Sequence, residues 1–404
     1  MNCLAEELSN SMDNKRKNIS TSFKKGALIA FGELFLKSDS VKKFFKKKLD
    51  NDLSYFLKRE GISFGLYQSR ERFFIQTDQA NEALKIIGKI SGISWFSECF
   101  YFPKTNLSKF ALFIDKKYPD FIKKGETFAI RLSLAKGVIK ESSKKIIERV
   151  AKNIERKVDL DNPKSEIFIE IRKDGWFLYL NKEKGAGGFP AGSAGKVLAL
   201  TSGGIDSPVA SYLIAKKGAE NIWLHFHSFP LVSNKSIEKV KELAKVFLGY
   251  QARVTVYFVP FSKAQVEIRA NAPAGFRILL YRRLMLKIAE IIAEKENCKA
   301  LVTGESLGQV SSQTLPNLKV IEHAVKIPIF RPLIALDKRE ITDMAKHIGT
   351  FDISIKPQED CCTLFTPKHA NANGKIEQVL ALEKKINVKK MIREALSSAR
   401  VEKF

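Results

Sequence analysis

Cysteine is scarce in this chain, with five in 404 residues. That excludes a disulfide-stapled scaffold and points to a reducing, cytoplasmic setting. No two cysteines stand at C-x-x-C spacing, so an iron–sulfur cluster is not expected and no metal ligand set is proposed. No apolar run approaches the roughly 18 residues that a membrane-spanning helix needs. The first 25 residues lack an apolar stretch of the kind that marks a secretory signal. A Walker phosphate loop is missing too. Gly195-Lys196 is followed by Val197, and Pro190 stands where the first glycine of that motif belongs.

Positive charge, by contrast, is abundant. The net charge is +25, with 37 basic against 24 acidic side chains in residues 1–190 and 32 against 20 in 191–404. Both halves are basic, which suits a polyanionic partner whose phosphates Lys and Arg neutralise. A merely solvated, lysine-rich surface is the alternative. The most informative segment is 198–213, LALTSGGIDSPVASYL. An apolar run feeds the polar turn Ser202–Ser207, and a helical pattern follows. Gly203 and Gly204 let the backbone turn tightly and bring N–H groups against an anion. Ser202 and Ser207 add hydroxyl donors, and the following helix adds its positive end.

Periodicity divides the chain at Lys184–Ser193, a Gly/Pro-rich connector. Before it, residues 1–22 read as a frayed tail. Strands are expected at Ala27–Phe35, Ile62–Tyr67, Arg72–Gln76, Ser94–Tyr101 and Thr127–Ala135, and a hairpin at Glu166–Ile171 and Trp176–Leu180. Helices are expected at Ser40–Leu57, Asn81–Ile90, Asn106–Tyr118 and Ser142–Val158. Such mixing predicts α+β modules. After the connector, strands at Val197–Leu200, Asn221–Phe226, Arg253–Val259, Ala300–Thr303 and Ile334–Ala335 alternate with helices starting near Pro208, Ser236, Lys263, Arg277 and Lys338. One further helix is expected over Ile376–Leu396. This alternation predicts an α/β, doubly wound parallel sheet with its ligand at the strands' carboxyl edge.

SGGIDS resembles the pyrophosphate loop of the ATP-pyrophosphatase superfamily, and further segments narrow the resemblance. IAFGELFLKS, GGFPAGSAGKVLAL, LHFHSFP, YRRLMLKIAE, TGESLGQVSSQT, RPLIALDKREI and PQEDCCTLFTPKH resemble, in order and spacing, the tRNA 4-thiouridine synthetases (tRNA uracil 4-sulfurtransferases). The match runs from about residue 27 to 370. It departs at Phe31 and Ser38, where Tyr and Gly are usual. The resemblance implies a ferredoxin-like domain (23–76), a THUMP RNA-binding domain (77–182), a linker (183–194) and an ATP-pyrophosphatase (PP-loop) domain (195–404).

It also implies the chemistry: ATP adenylates uridine O4 of tRNA at position 8, pyrophosphate leaves, and a cysteine persulfide delivers sulfur. Carried over residue by residue, the ATP contacts are Leu200, Thr201, Ser202, Gly203, Gly204, Ser207, His225, Phe226, Arg282, Gly304 and Gln313. Arg283 competes with Arg282 for the phosphates. Asp206 is expected to help position Mg²⁺, with helix capping as its alternative role. Cys361 and Cys362 are the catalytic thiols, Cys361 being the position that the motif assigns to sulfur. Cys3, Cys99 and Cys298 are expected to be structural or incidental. Many members append a rhodanese domain that carries persulfide. None follows here before Phe404, so a cysteine desulfurase is expected to load sulfur directly, and a thiazole-forming role is not expected. The resemblance further implies a homodimer and no membrane attachment. Two other readings remain open: a PP-loop enzyme acting on another tRNA nucleophile, and an RNA-binding protein with a degenerate nucleotide fold.

Overall fold

The protein is seen in a computed structural model that describes residues 23–32, 38–69, 72–358 and 371–404. The expected 1–22 tail, Cys3, Cys361 and Cys362 lie outside the described residues. The chain divides into two compact units, the first drawn from residues up to Gly32, Ser54–Gly88 and Ile93–Gly187, the second from the remainder.

The first unit is built on β1 (Lys24–Phe31), β2 (Gly65–Gln68), β3 (Arg72–Gln76), β4 (Ile93–Phe102), β5 (Phe128–Leu134), β6 (Ser165–Arg172), β7 (Gly175–Tyr179) and β8 (Glu183–Lys184). The strand order is β2-β3-β1-β4-β7-β6-β5, with β8 beside β4. β5 and β6 run parallel, and the other neighbours run antiparallel. The helices are α1 (Asp39–Arg59), whose first part belongs to the second unit, α2 (Ala80–Ile87), α3 (Leu107–Phe121) and α4 (Ser143–Ala151). Asn106 and Ser142 cap α3 and α4 by accepting from Lys109 N and Lys145 N, which satisfies donors that the first turn leaves free. The order β2-β3-β1-β4 with two helices is the ferredoxin-like pattern. It is complete only at Phe102, because β4 pairs with β1 along its length; the four-stranded unit therefore runs past the boundary expected at 76.

Alternation sorts the side chains onto two faces. Phe102, Phe128, Ile167, Ile169 and Ile171 pack under α3 and α4 with Phe110 and Ile146. Leu28, Phe74, Cys99, Tyr101, Phe177 and Tyr179 form a second, aromatic cluster. There Tyr101 stacks on Phe177 at 4.8 Å and Phe168 on Tyr179 at 5.2 Å. Glu170 is buried in the same unit, held by Arg72 at 3.0 Å and Arg172 at 2.7 Å, and accepts from the Tyr179 hydroxyl at 3.0 Å. α4 ends at Ala151, short of the expected Val158, which instead forms a bridge to Phe128.

The second unit is the expected α/β layer. β9 (Lys196–Leu200), β10 (Glu220–His227), β11 (Thr255–Pro260), β12 (Leu301–Val302), β13 (Ile329–Phe330) and β14 (Arg400–Lys403) stand in the order β13-β12-β9-β10-β11-β14. All pairs are parallel except that of β14 with β11. The helices are α5 (Asp206–Lys216), α6 (Lys235–Phe247), α7 (Ser262–Asn271), α8 (Arg277–Lys295), α9 (Leu315–Glu322), α10 (Lys338–His347), α11 (Phe351–Ser354), α12 (Ile376–Glu383) and α13 (Val388–Ser397). One apolar cluster centres on α8 (Tyr281, Leu284, Ile288) against Leu224 and Val259, and the other sets Val209, Leu243 and Phe247 against Trp223 and Val256.

Two expectations are corrected here. The strand beside β12 is Ile329–Phe330, not Ile334–Ala335. Pro332 has no N–H to give a ladder, and Ile334 N instead closes a turn on Arg331 O. The single helix expected over 376–396 is two, because the Asn387 side chain accepts from Lys390 N and starts α13 anew. The C-terminal strand β14 pairs antiparallel with β11 and has no counterpart among the strands expected from the sequence.

Candidate active site

β9 delivers Leu200 and Thr201 to the carboxyl edge of the parallel sheet, and α5 begins five residues later at Asp206. Between them Gly203 has φ +85°, a conformation that costs glycine little and other residues more. A Cβ there would stand 2.8 Å from Gln358 Oε1. Ser202 N donates to Ser207 Oγ at 3.2 Å and Gly204 N to Ser202 Oγ at 3.3 Å. The loop is thus drawn into a closed turn at the positive end of α5. Gly304 supports it from below. A Cβ on Gly304 would lie 2.9 Å from Ser207 N and 3.0 Å from the Asp206 carbonyl carbon, so any side chain there pushes the first turn of α5 away.

A cavity of about 330 Å³ opens at this edge. Nine of the eleven ATP contacts implied by the resemblance line it: Leu200, Thr201, Ser202, Gly204, Ser207, Phe226, Arg282, Gly304 and Gln313. Asp206 lines it as well. Its apolar wall is Leu224, Met285, Leu286, Ile321 and Ile329. Within it Gln313 Oε1 is buried with no hydrogen-bond partner among the described residues, a vacant acceptor at the cavity wall. Gly203 and His225 do not line the cavity. The His225 ring is buried, with Nδ1 at 2.8 Å from Thr201 O and Nε2 at 3.1 Å from Ser236 Oγ; it ties the end of β9 to α6.

Neighbouring arginines on α8 part company. Arg283 is fully buried and grips Glu383 through two nitrogens at 2.9 and 3.2 Å, and it also donates to Val320 O. Arg282 faces the cavity, donates to Ser312 Oγ at 2.9 Å and pairs with Glu305 at 2.5 Å. Arg331 holds the other Glu305 oxygen at 2.7 Å, and Thr303 donates to it at 2.9 Å. Burial alone raises the Glu305 pKa, but the Arg282 and Arg331 guanidiniums outweigh it and hold the carboxyl below its ordinary value. Arg282 is therefore oriented by an ionised carboxylate and keeps its cationic plane at the cavity wall.

Asp206 meets two residues that the sequence reading did not single out. Lys338, at the start of α10, pairs with Oδ1, and Gln309 Nε2 donates to Oδ2 at 3.1 Å. Lys338 is 132 residues away in the chain, so no local pattern could announce the pair. Mg²⁺ takes one or two carboxylates plus substrate phosphate oxygens. Of the two carboxylates at the cavity, Glu305 is buried between two arginines, whereas Asp206 is held only by the half-exposed Lys338 and by Gln309, partners that an ion would have to displace. Cys99 and Cys298 are buried. Burial raises the thiol pKa of Cys99, and pushes that of Cys298 up to about 12, so neither supplies a thiolate at neutral pH.

Comparison with known proteins identifies the family. The family model "Thiamine biosynthesis protein (ThiI)" matches residues 192–388, the ThiI ferredoxin-like domain matches 27–97 and the THUMP domain 110–181. A probable tRNA sulfurtransferase of Caldanaerobacter subterraneus subsp. tengcongensis is 39% identical over 90% of this chain and 96% of its own. The chain belongs to the tRNA sulfurtransferase family.

A second relative of that name, from Alkaliphilus metalliredigens, is 38% identical over 93% of this chain and 97% of its own. The crystal structure of a 4-thiouridine synthetase–RNA complex with bound ATP superposes with a TM-score of 0.84 at 31% identity, covering 94% of this chain and all of that one. As a tRNA sulfurtransferase family member, the chain keeps the SGGIDS turn, Gly304 and Gln313 around one cavity. The residues that orient and neutralise this set, Glu305, Arg331, Lys338 and Gln309, lie within the TGESLGQVSSQT and RPLIALDKREI stretches that carry the resemblance. Their roles emerge only from the contacts. No described helix is long and apolar enough to cross a membrane.

Proposed function

We propose that this chain is an ATP-dependent tRNA uracil 4-sulfurtransferase that converts uridine 8 of tRNA to 4-thiouridine. The observation that carries the reading is one cavity combining a glycine–serine anion cradle, an oriented arginine and an apolar, purine-sized wall with a vacant buried acceptor. The adenine of ATP suits that wall, with its amino group facing Gln313. The triphosphate suits Ser202–Ser207, with Arg282 neutralising the charge that builds as pyrophosphate departs. Asp206 is the residue that would hold Mg²⁺ beside those phosphates, and the ion would supply charge neutralisation there. Lys338, displaced from Asp206, then takes part of the phosphate charge itself.

Uridine O4 attacks the α-phosphorus, the bond to the β-phosphate oxygen breaks, and O4 becomes part of an AMP leaving group. The terminal sulfur of a persulfide on Cys361 attacks C4 and AMP leaves. An external thiol then cleaves the S–S bond, releasing 4-thiouridine and leaving a mixed disulfide on the cysteine. A second equivalent of thiol reduces it, so two electrons come from the reductant. A neighbouring Cys361–Cys362 disulfide would strain the intervening peptide, since adjacent Cα atoms stand about 3.8 Å apart; Cys362 is not the obligatory resolving group. We assign tRNA holding to the modules over 23–182, loading of the persulfide to a cysteine desulfurase, and the working form to a cytoplasmic homodimer.

Asp206→Ala tests this reading. It should reduce tRNA-dependent ATP–pyrophosphate exchange and 4-thiouridine formation by about 1000-fold or more, with tRNA affinity nearly unchanged. A variant retaining over half of the wild-type rate would remove Asp206 from the mechanism. Absence of any exchange with the wild-type protein and tRNA would leave the RNA-binding alternative.

A further inference from the structure

Two buried polar side chains in the parallel-sheet unit are more elaborately bonded than packing requires, and neither lines the nucleotide cavity. Asn317, on α9, is fully buried. Its Nδ2 donates to Ser311 O at 2.7 Å and to Asn371 O at 2.8 Å, and its Oδ1 accepts from Gly374 N at 2.9 Å. Thr314 Oγ1 adds a bond to Ala372 O at 2.7 Å. Residues 371–374 are thereby fixed to the turn Ser311–Gln313, which contributes Ser312 and Gln313 to the cavity wall. A Cβ on Gly374 would fall 2.7 Å from Leu279 Cδ1 and 3.0 Å from Asn317 Oδ1, so the fit tolerates no side chain.

Lys239, on α6, is the counterpart on the other side. It is 4% exposed, and its ammonium, rather than meeting a carboxylate, donates to Ser354 O at 3.1 Å and to Lys356 O. Two residues on, Gln358 Nε2 donates to Ser202 O at 3.0 Å, which attaches the same stretch to the phosphate turn itself. Burying an ammonium against two carbonyls, with no carboxylate in contact, costs desolvation free energy that the two hydrogen bonds offset only in part.

These two clamps hold residues 354–358 and 371–374, the flanks of the stretch of sequence that includes Cys361 and Cys362. Cys361 is three residues beyond Gln358 in the sequence. We infer that Asn317 and Lys239, with Gln358, are positioning residues for sulfur transfer: they fix both flanks of the cysteine-bearing stretch to the walls of the nucleotide cavity without touching the nucleotide. This rests on the sulfurtransferase reading above. It adds that adenylation and sulfur transfer depend on separable sets of residues.

The experiment measures the two half-reactions separately in the full-length protein. tRNA-dependent ATP–pyrophosphate exchange reports adenylation, and single-turnover 4-thiouridine formation from persulfide-loaded protein, quantified by mass spectrometry, reports sulfur delivery. Asn317→Ala and Gln358→Ala should lower sulfur delivery about 100-fold, the cost of a misplacement of about 1 Å. Because the same side chains brace Ser311 and Ser202 at the cavity, exchange should fall too, by a factor at least about tenfold smaller than that for sulfur delivery. Lys239→Gln should follow the same split. Parallel losses in both half-reactions, or none in either, overturn the assignment. If Asn317→Ala does not fold, Gln358→Ala carries the test alone, because its side chain is only half-buried, and unchanged sulfur delivery there overturns the proposal. Failure of exchange in the wild-type protein would instead refute the sulfurtransferase reading.

Discussion

Each of the two units buries a glutamate between two arginines. In the antiparallel sheet, Glu170 is held by Arg72, Arg172 and the Tyr179 hydroxyl. In the parallel sheet, Glu305 is held by Arg282, Arg331 and the Thr303 hydroxyl. In both, burial pushes the carboxyl pKa up and the guanidiniums more than reverse it. The chemistry is the same, yet the surroundings differ. Glu170 lies among strands and stacked rings, so its arginines are spent on the fold, whereas one arginine of Glu305 has its free side on a cavity beside an anion cradle. A buried ion triad therefore says little about function until one asks what else its cations can reach.

Between the two glutamates, Glu305→Gln gives the larger effect on activity. The neutral amide no longer fixes Arg282, so adenylation should fall about 100-fold or more, with a Tm loss smaller than that of the matching change in the other unit. Pyrophosphate exchange together with a thermal melt checks this. Exchange within a few-fold of wild type would mean that Arg282 does not serve the phosphates, and the contrast between the units would collapse.

Glu170→Gln should do the opposite. Removing the charge leaves two half-buried guanidiniums facing an amide, at a cost of about 3 kcal/mol in unfolding free energy, read from urea denaturation. Turnover of the folded fraction should stay near wild type. The pH dependence has a definite sign: a carboxyl whose pKa is depressed by folding adds stability above the unfolded value near 4.3 and loses it as pH falls through the folded value. The gap between wild type and Glu170→Gln should therefore close on acidification.

Much of this was legible in the sequence, for reasons that are local. SGGIDS names its own turn, because only glycine takes φ +85° easily and a hydroxyl must close the loop. Strand–helix alternation after residue 195 forecasts a parallel sheet, and that forecasts the edge at which the cavity sits. The rest depended on distant contacts. Nothing local tells Arg282 from Arg283; the structure separates them through Glu305 and Glu383, each far away in the chain. His225 is implied by resemblance as an ATP contact, yet its ring is committed to Thr201 O and Ser236. β14 pairs with a strand some 145 residues earlier, beyond the reach of periodicity. The PQEDCC thiols lie outside the described residues, and only their flanks take part in the structural argument.

The glutamates stay ionised because cations surround them; at two half-buried groups burial instead shifts the pKa toward the neutral form, which sharpens the contrast. Asp52, on the part of α1 that belongs to the second unit, has its pKa raised to about 7 by burial, against a backbone hydrogen bond from Ala191 and the charge of Lys48. A carboxyl protonated in the fold and ionised near 3.9 when unfolded loses stability as pH rises between those values. Asp52→Asn should thus raise unfolding free energy by about 2 kcal/mol at pH 8 and change little at pH 4. Equal urea midpoints at pH 8 would show that Asp52 is solvated there.

His227 gives the smallest effect and the opposite sign. It ends β10 in a second cavity, lined also by Phe229, Phe258 and Arg400, and its Nδ1 is buried without a hydrogen-bond partner among the described residues. Burial first, and the Arg400 charge second, lower its pKa to about 4. The unfolded chain binds a proton at this ring near pH 6.5 and the folded chain only near 4. The stability that the neutral ring contributes is whole above about 6.5 and is lost as pH falls through that window. His227→Gln removes the titration, so its unfolding free energy should depend less on pH between 6.5 and 4. Allowing for partial exposure, it should gain about 1 kcal/mol relative to wild type at pH 5. Parallel stability curves for the two proteins across that interval would mean that the ring accepts its proton in the fold as readily as outside it, and that burial without a counter-charge is not what separates His227 from the two glutamates.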